Sequence, residues 1–159
     1  MNFRVGFGFD VHQLKEGLDL FIGGVVVPHT KGALGHSDAD VLIHVICDAL
    51  LGAVNLGDIG RHFPDTDPRY KGIDSKILLT SVMNLVREQG YELGNLDSTV
   101  CLQKPKIGPY IPQMQEVLSI CMGVNKDLVS IKATTTEKLS FIGREEGISA
   151  YATVLVNKR

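Results

Sequence analysis

The sequence is short of excess positive charge, of cysteine and of long apolar runs, and each shortage closes off a class of function. Sixteen lysines and arginines against eighteen acidic residues leave a net charge of −2. No broad basic field of the kind that dominates nucleic-acid affinity exists, so any phosphate chemistry must use a local site. The three cysteines, Cys47, Cys101 and Cys121, are odd in number, far apart and without metal-ligand spacing. They read as buried thiols of a reducing compartment. No apolar run approaches the roughly 18 residues of a membrane span, and the N-terminus enters a strand pattern without the basic and apolar segments of a signal peptide. The expectation is a soluble cytosolic or bacterial protein with neither a nucleic-acid nor a membrane partner.

What is present is enough apolar material, 44% of 159 residues, for one compact domain spanning residues 1–159. Its most informative stretch is RVGFGFDVHQ, Arg4 to Gln13. Side chains alternate across a strand, so Phe3, Val5, Phe7, Phe9 and Val11 share one face, while Arg4, Gly6, Gly8, Asp10 and His12 share the other. One face packs; the other is stripped by two glycines and ends in a carboxylate and an imidazole able to chelate one ion. After Leu20 to Pro28, a hairpin signal around Gly23-Gly24, Ser37-Asp38-Ala39-Asp40 has the form of a capping box ahead of an apolar helix reaching about Leu51. Residues 55–72 are dense in Gly, Asp and Pro and read as a long loop. Helical periods return at Ser75 to Gln89 and Pro109 to Met122, closed by Gly90 and Gly123. Strands follow near Leu96 to Gln103, Leu128 to Thr134 and Ile148 to Asn157. The pattern predicts an α/β fold, an α+β sandwich whose mixed sheet of about four strands is covered by helices on one face.

On the first helix Asp40, His44 and Asp48 recur every four residues as a polar stripe that must face water, a partner or an ion. His44 with Asp10 and His12 would complete three protein ligands, the pattern of a catalytic zinc with an open position. Asp48 is then expected to orient the second nitrogen of His44. His36 and Ser37 precede that helix, where exposed amides and an imidazole suit an anionic oxygen. KATTTEK, Lys132 to Lys138, reads equally as a strand end with solvated hydroxyls or as phosphate donors beside a hard oxygen ligand, Glu137. In LGDIGRHFPDTDP, Asp58, Asp65 and Asp67 suit either a polar loop or the hydroxyls of a sugar.

The segments GFDVH, HSDADVLIH with DALLGA behind it, LGDIGRHFPDTDPRYKG and KATTTEKL, in this order from about Arg4 to Gly147, together resemble the 2-C-methyl-D-erythritol 2,4-cyclodiphosphate synthase family of the non-mevalonate isoprenoid pathway. The resemblance implies a homotrimer, sheets packed around a threefold axis and active sites between subunits. The implied reaction turns 4-diphosphocytidyl-2-C-methyl-D-erythritol 2-phosphate into the cyclic diphosphate and CMP, in a bacterial cytoplasm or, after loss of a transit peptide, a plastid stroma. It further implies zinc on Asp10, His12 and His44, and a second divalent ion, magnesium or manganese, on the substrate diphosphate and Glu137. His36, Ser37, Asp48 and Thr135 would be catalytic. Asp10, His12, Asp58, Ile59, Gly60, Phe63, Asp65 and Thr136 would line the substrate, with Lys106, Ala133, Thr134 and Thr135 around its cytidine end. If the Phe7 and Phe9 faces of three subunits meet, Phe141 and Arg144 stand near the mouth of an apolar channel suited to an isoprenoid diphosphate. The other reading is a packed core with Arg144 paired to Glu145 or Glu146. Two competing functions are a zinc-dependent phosphoester hydrolase and a non-enzymatic, metal-stabilised trimeric binding protein.

Overall fold

The computed structural model describes residues 2–159. In chain order it contains β1 (Phe3–Glu16), β2 (Leu20–Ile22), β3 (Val25–Val27), β4 (Lys31–Ala33), α1 (Val41–Ala53), α2 (Ile59–His62), α3 (Ser75–Glu88), β5 (Tyr91–Cys101), α4 (Ile111–Met122), β6 (Val129–Thr134), α5 (Ser140–Gly143) and β7 (Gly147–Lys158). The sheet order is β4-β1-β7-β5-β6. Only β5 and β6 pair in parallel; the other pairs are antiparallel. The four long strands expected from the sequence are therefore joined by a fifth, the three-residue edge strand β4, too short to announce itself by alternation. Hairpin β2–β3 stands apart and turns at Gly23-Gly24, both at positive φ, where only glycine is unstrained.

The helices α1, α3 and α4 gather on one face, with α1 against β1 and β7. That packing depends on the two glycines of β1. A Cβ on Gly6 would sit 1.8 Å from the carbonyl oxygen of Ala49, and one on Gly8 2.1 Å from that of Val45. Ala152 lies beside Gly8, and Ala150 beside Asp10, on neighbouring β7. A lane of small residues thus lets the α1 backbone settle onto the sheet.

Of the thirteen residues of α1 only Asp48 and Gly52 escape full burial. The polar stripe read from the sequence is accordingly not a solvent face, because sheet and neighbouring helices enclose it. Asp40, expected to belong to that stripe, is the helix N-cap. Its carboxylate accepts from the backbone N–H groups of Ile43, Gly23 and Gly24 at 3.0, 2.9 and 2.7 Å. Burial raises its pKa, and the three amides work against that rise. The capping residue is thus Asp40 rather than Ser37, which sits outside the helix and accepts from the Ala39 N–H at 3.2 Å.

Residues 55–72, expected as an unbroken loop, hold α2 and a single 3-10 turn, Pro68–Tyr70. Each starts at an aspartate. Asp58 accepts from Arg61 N–H at 3.0 Å and Asp67 from Arg69 N–H at 2.9 Å, the local pairing that makes Asp a helix starter. Of the cysteines only Cys47 is buried; Cys101 and Cys121 are half-buried, and all three are free. No helix among the described residues is long and apolar enough to cross a membrane.

The opposite face of the sheet carries Phe3, Val5, Phe7, Phe9 and Val11, as the alternation assigned them, together with Tyr151. Phe7 is 63% exposed, and the rings of Phe9 and Tyr151 lie 5.1 Å apart. A continuous aromatic and aliphatic patch across β1 and β7 is a surface that needs a cover.

Candidate metal centre and its cavity

The end of the glycine lane is where strand and helix bring ionisable groups together. Asp10 and His12 project from β1 on the α1 side, and His44 projects from the first turn of α1. Asp10 Oδ2 lies 3.1 Å from His12 Nε2 and 3.2 Å from His44 Nδ1, and the two imidazole nitrogens are 3.1 Å apart. Metal–donor bonds of about 2.0–2.1 Å in a tetrahedron set neighbouring donors roughly 3.3 Å apart. The three atoms therefore already span one face of such a tetrahedron and leave its fourth corner free. Burial works to raise the Asp10 carboxyl, yet hydrogen bonding to His12 and His44 and their proximity outweigh it and hold the group well below the usual carboxylate range. Among the described residues this is the only cluster of three such groups. The residues fit a divalent ion.

The cluster stands at one wall of a cavity of about 350 Å³ that is also lined by His36, Ser37, Ile59, Gly60, Phe63 and Asp65. Six residues expected at the substrate thus meet the three ligands in one place. Phe63 and Tyr70 form an edge-to-face aromatic wall with centroids 5.5 Å apart, to which Ile73 and Leu78 add apolar surface. Sequence reasoning missed Tyr70, Ile73 and Leu78, whose only signal was their place after an aspartate-rich loop. Asp58 does not line this cavity; it caps α2, whose first residues do.

Two expectations change at this site. Asp48 does not reach the second nitrogen of His44. Its carboxylate accepts from the Ile59 N–H at 2.8 Å, which ties α1 to the start of α2; burial and the carboxylates of Asp58 and Asp10 raise its pKa against the effect of that amide. The partners of His44 Nε2 are instead Ser37 Oγ at 3.1 Å and Ser75 Oγ at 3.2 Å. Lys132, considered as a phosphate donor, pairs with Asp97 at 2.6 Å on the neighbouring strand.

A second cavity of about 290 Å³ gathers Lys106, Ala133, Thr134 and Thr135 with Leu102, Gln103, Pro105 and Ile107. Its two walls are joined by Leu102 N–H to Thr134 O at 2.9 Å and Lys138 N–H to Gln103 Oε1 at 3.1 Å. Thr136 and Glu137 stand in the exposed turn that follows, Glu137 at φ 52°, apart from the three clustered ligands. Phe141 borders a further hollow with Phe9, Val11 and His12. Arg144 is not part of that hollow and pairs with Glu146 through Nε–Oε1 at 2.8 Å, the alternative the sequence had left open.

Fold and site together define an α/β domain with a three-donor centre for a divalent ion in the wall of a cavity lined by both polar and apolar side chains. The chain belongs to the YgbB family, which matches residues 3–157, and with its relatives to the cyclising lyases. A 2-C-methyl-D-erythritol 2,4-cyclodiphosphate synthase of Bacteroides fragilis is 62% identical over 158 residues, covering 99% of both chains. A solved structure of a synthase of that name in a form bound to CDP is 39% identical, with a TM-score of 0.89 over 97% of this chain and 100% of that one. The bifunctional IspDF of Campylobacter jejuni is 42% identical with a TM-score of 0.95; the match takes in 99% of this chain and 42% of that longer one.

Proposed function

We propose that this chain converts 4-diphosphocytidyl-2-C-methyl-D-erythritol 2-phosphate to 2-C-methyl-D-erythritol 2,4-cyclodiphosphate and CMP. The observation that carries the reading is the meeting of Asp10, His12 and His44 with His36, Ser37, Gly60 and Asp65 around one cavity. An oxygen of the substrate's own 2-phosphate forms a bond to the β-phosphorus as the bond from that phosphorus to the bridging oxygen breaks, and CMP leaves with that oxygen. The nucleophile belongs to the substrate, so the protein's tasks are positioning and electrostatic stabilisation.

Asp10, His12 and His44 would hold zinc, and Glu137, with the substrate diphosphate, a second ion such as magnesium or manganese. When bound, the two cations supply the counter-charge that lets two polyanionic groups approach and CMP depart. Ser37 and His36 contact phosphate beside the ligands. The Ile59-Gly60 backbone, with Asp58 and Asp65, takes the erythritol hydroxyls, and Phe63 keeps water from that end. Asp48 positions this segment through Ile59. Thr135, with Lys106, Ala133, Thr134 and Thr136, serves the nucleotide end; that a relative was solved in a CDP-bound form supports a cytidine nucleotide as ligand. The phosphorus spectrum of the reaction separates cyclisation from hydrolysis by its products. As a check on the second ion, Glu137→Gln is expected to retain zinc and to raise the magnesium needed for half-maximal CMP release, since the amide keeps size and loses charge. An unchanged magnesium titration removes Glu137 from that role.

The two cavities are separate in one chain, which supports an assembly in which a neighbour's nucleotide cavity completes the metal site. The exposed face of β1 supplies the contact: packed around a threefold axis, Phe7, Phe9 and Tyr151 lose apolar surface worth roughly 25 cal/mol per Å². Such a trimer encloses an apolar channel for an isoprenoid diphosphate, with Phe141 near its mouth and Arg144 available to the diphosphate once it exchanges its exposed pairing with Glu146. Light scattering is expected to give the mass of three chains, and calorimetry with farnesyl diphosphate a heat of binding that Arg144→Ala removes. A monomer at micromolar concentration contradicts the assembly, and equal heats contradict the channel.

A further inference from the structure

We infer that Ser75 and Asp38 are positioning residues that fix which nitrogen of His44 is offered to the metal, an inference that rests on the reading of Asp10, His12 and His44 as metal ligands. An ionised carboxylate accepts only, and that of Asp38 is surrounded by donors: Ser75 N–H at 3.0 Å, Asp40 N–H at 3.1 Å and the Ser75 hydroxyl, which makes the shortest of the three contacts. The Ser75 proton is therefore committed to Asp38. Ser75 is fully buried, so its oxygen turns its lone pairs to its other neighbour, His44 Nε2, at 3.2 Å. That nitrogen must then be the one that carries hydrogen. In a neutral imidazole the other nitrogen keeps its lone pair, and Nδ1 is the atom 3.2 Å from Asp10 Oδ2 and 3.1 Å from His12 Nε2.

The relay also separates two serines that flank the same nitrogen. Ser37 Oγ lies 3.1 Å from His44 Nε2 and accepts from Ala39 N–H. Because Nε2 already bears a proton, the Ser37 hydroxyl cannot donate to it. Its own hydrogen is left for the cavity that Ser37 lines. Ser75 thus orients the ligand, while Ser37 remains a donor toward an anionic oxygen. Nothing in the local sequence announces this: Ser75 is the first residue of α3, 31 positions from His44 and 37 from Asp38.

The test is zinc affinity, measured by competition with a chromogenic chelator for wild type, Ser75→Ala, Ser75→Thr, Asp38→Asn and Ser37→Ala. Loss of a group that orients a ligand typically costs about 10- to 100-fold in metal affinity, and Ser75→Ala is expected to lose about tenfold or more. Asp38→Asn, which keeps size and can no longer accept at both oxygens, is expected to lose affinity in the same direction. Ser75→Thr, which retains the hydroxyl, restores it. Ser37→Ala is expected to keep wild-type zinc affinity while raising KM. In the zinc-loaded wild type the His44 Nε2–H should be a protected proton resonance that Ser75→Ala loses. Wild-type affinity in both Ser75→Ala and Asp38→Asn, or equal losses in Ser37→Ala and Ser75→Ala, overturns the relay. A wild type without tight zinc overturns the metal reading beneath it.

Discussion

His44→Ala is expected to lose its tightly bound zinc and nearly all turnover while the domain remains folded. His44 supplies one of three donors that lie 3.1 to 3.2 Å from one another, and its neighbours on α1 pack against the sheet without its help. Structural zinc in zinc-finger peptides binds with apparent energies of about 10–16 kcal/mol at neutral pH. Shared over a tetrahedral set, one ligand is worth on the order of 3 kcal/mol, roughly a hundredfold in affinity. Asp10 and His12, both on β1, cannot make up the third donor from the same strand. Elemental analysis that finds one zinc per chain in this variant, with wild-type turnover, contradicts the ligand assignment.

Gly8→Ala is expected to damage fold and site together. Its Cβ would lie 2.1 Å from the carbonyl oxygen of Val45, 3.0 Å from the Val45 carbonyl carbon and 3.1 Å from the Ala49 nitrogen, all backbone atoms of α1. No rotamer change relieves such a contact; the helix has to move off the strand. Overpacking of this kind costs about 1–3 kcal/mol or more, and roughly 2–4 °C in melting temperature accompanies each kcal/mol in a domain of this size. His44 rides on that helix, so zinc affinity should fall with stability. Gly52→Ala is the contrasting case: it lies in α1 with nothing within 4 Å of its added Cβ. It should stabilise by up to about 1 kcal/mol, through lower unfolded-chain entropy and better helix propensity. Thermal melting of both variants checks the pair; Gly8→Ala melting as wild type does would mean the glycine lane does not set the helix–strand distance.

The two faces of β1 were legible because a strand's period of two sorts residues by parity, and the sorting survives any arrangement of the rest of the chain. Asp10 and His12 could therefore be put on one side, and His44 followed as a histidine on an apolar helix. Asp40 and Asp48 were misread because helical spacing says which residues share a face and not what covers it. Asp40 meets the amides of Gly23 and Gly24, and Asp48 meets that of Ile59, contacts that exist only once hairpin and loop have closed over the helix. Ser75 and Asp38 escaped notice for the same reason. The division of the substrate contacts into two cavities was equally beyond local pattern, since β6 and the 102–109 segment converge through the sheet order. The roles given to Lys106, Ala133 and Thr135 came from the family resemblance and not from residue chemistry.

The central claim is that the three-ligand cavity promotes attack by the substrate's own phosphate and not by water. Phosphorus NMR of the purified protein with 4-diphosphocytidyl-2-C-methyl-D-erythritol 2-phosphate, zinc and magnesium in oxygen-18 water tests it most directly. The expected result is a cyclic diphosphate and CMP in equal amounts, neither showing the isotope shift of incorporated solvent oxygen. Linear phosphate products carrying the label would instead make the site that of a hydrolase, and an unchanged substrate spectrum, with zinc bound, that of a binding protein.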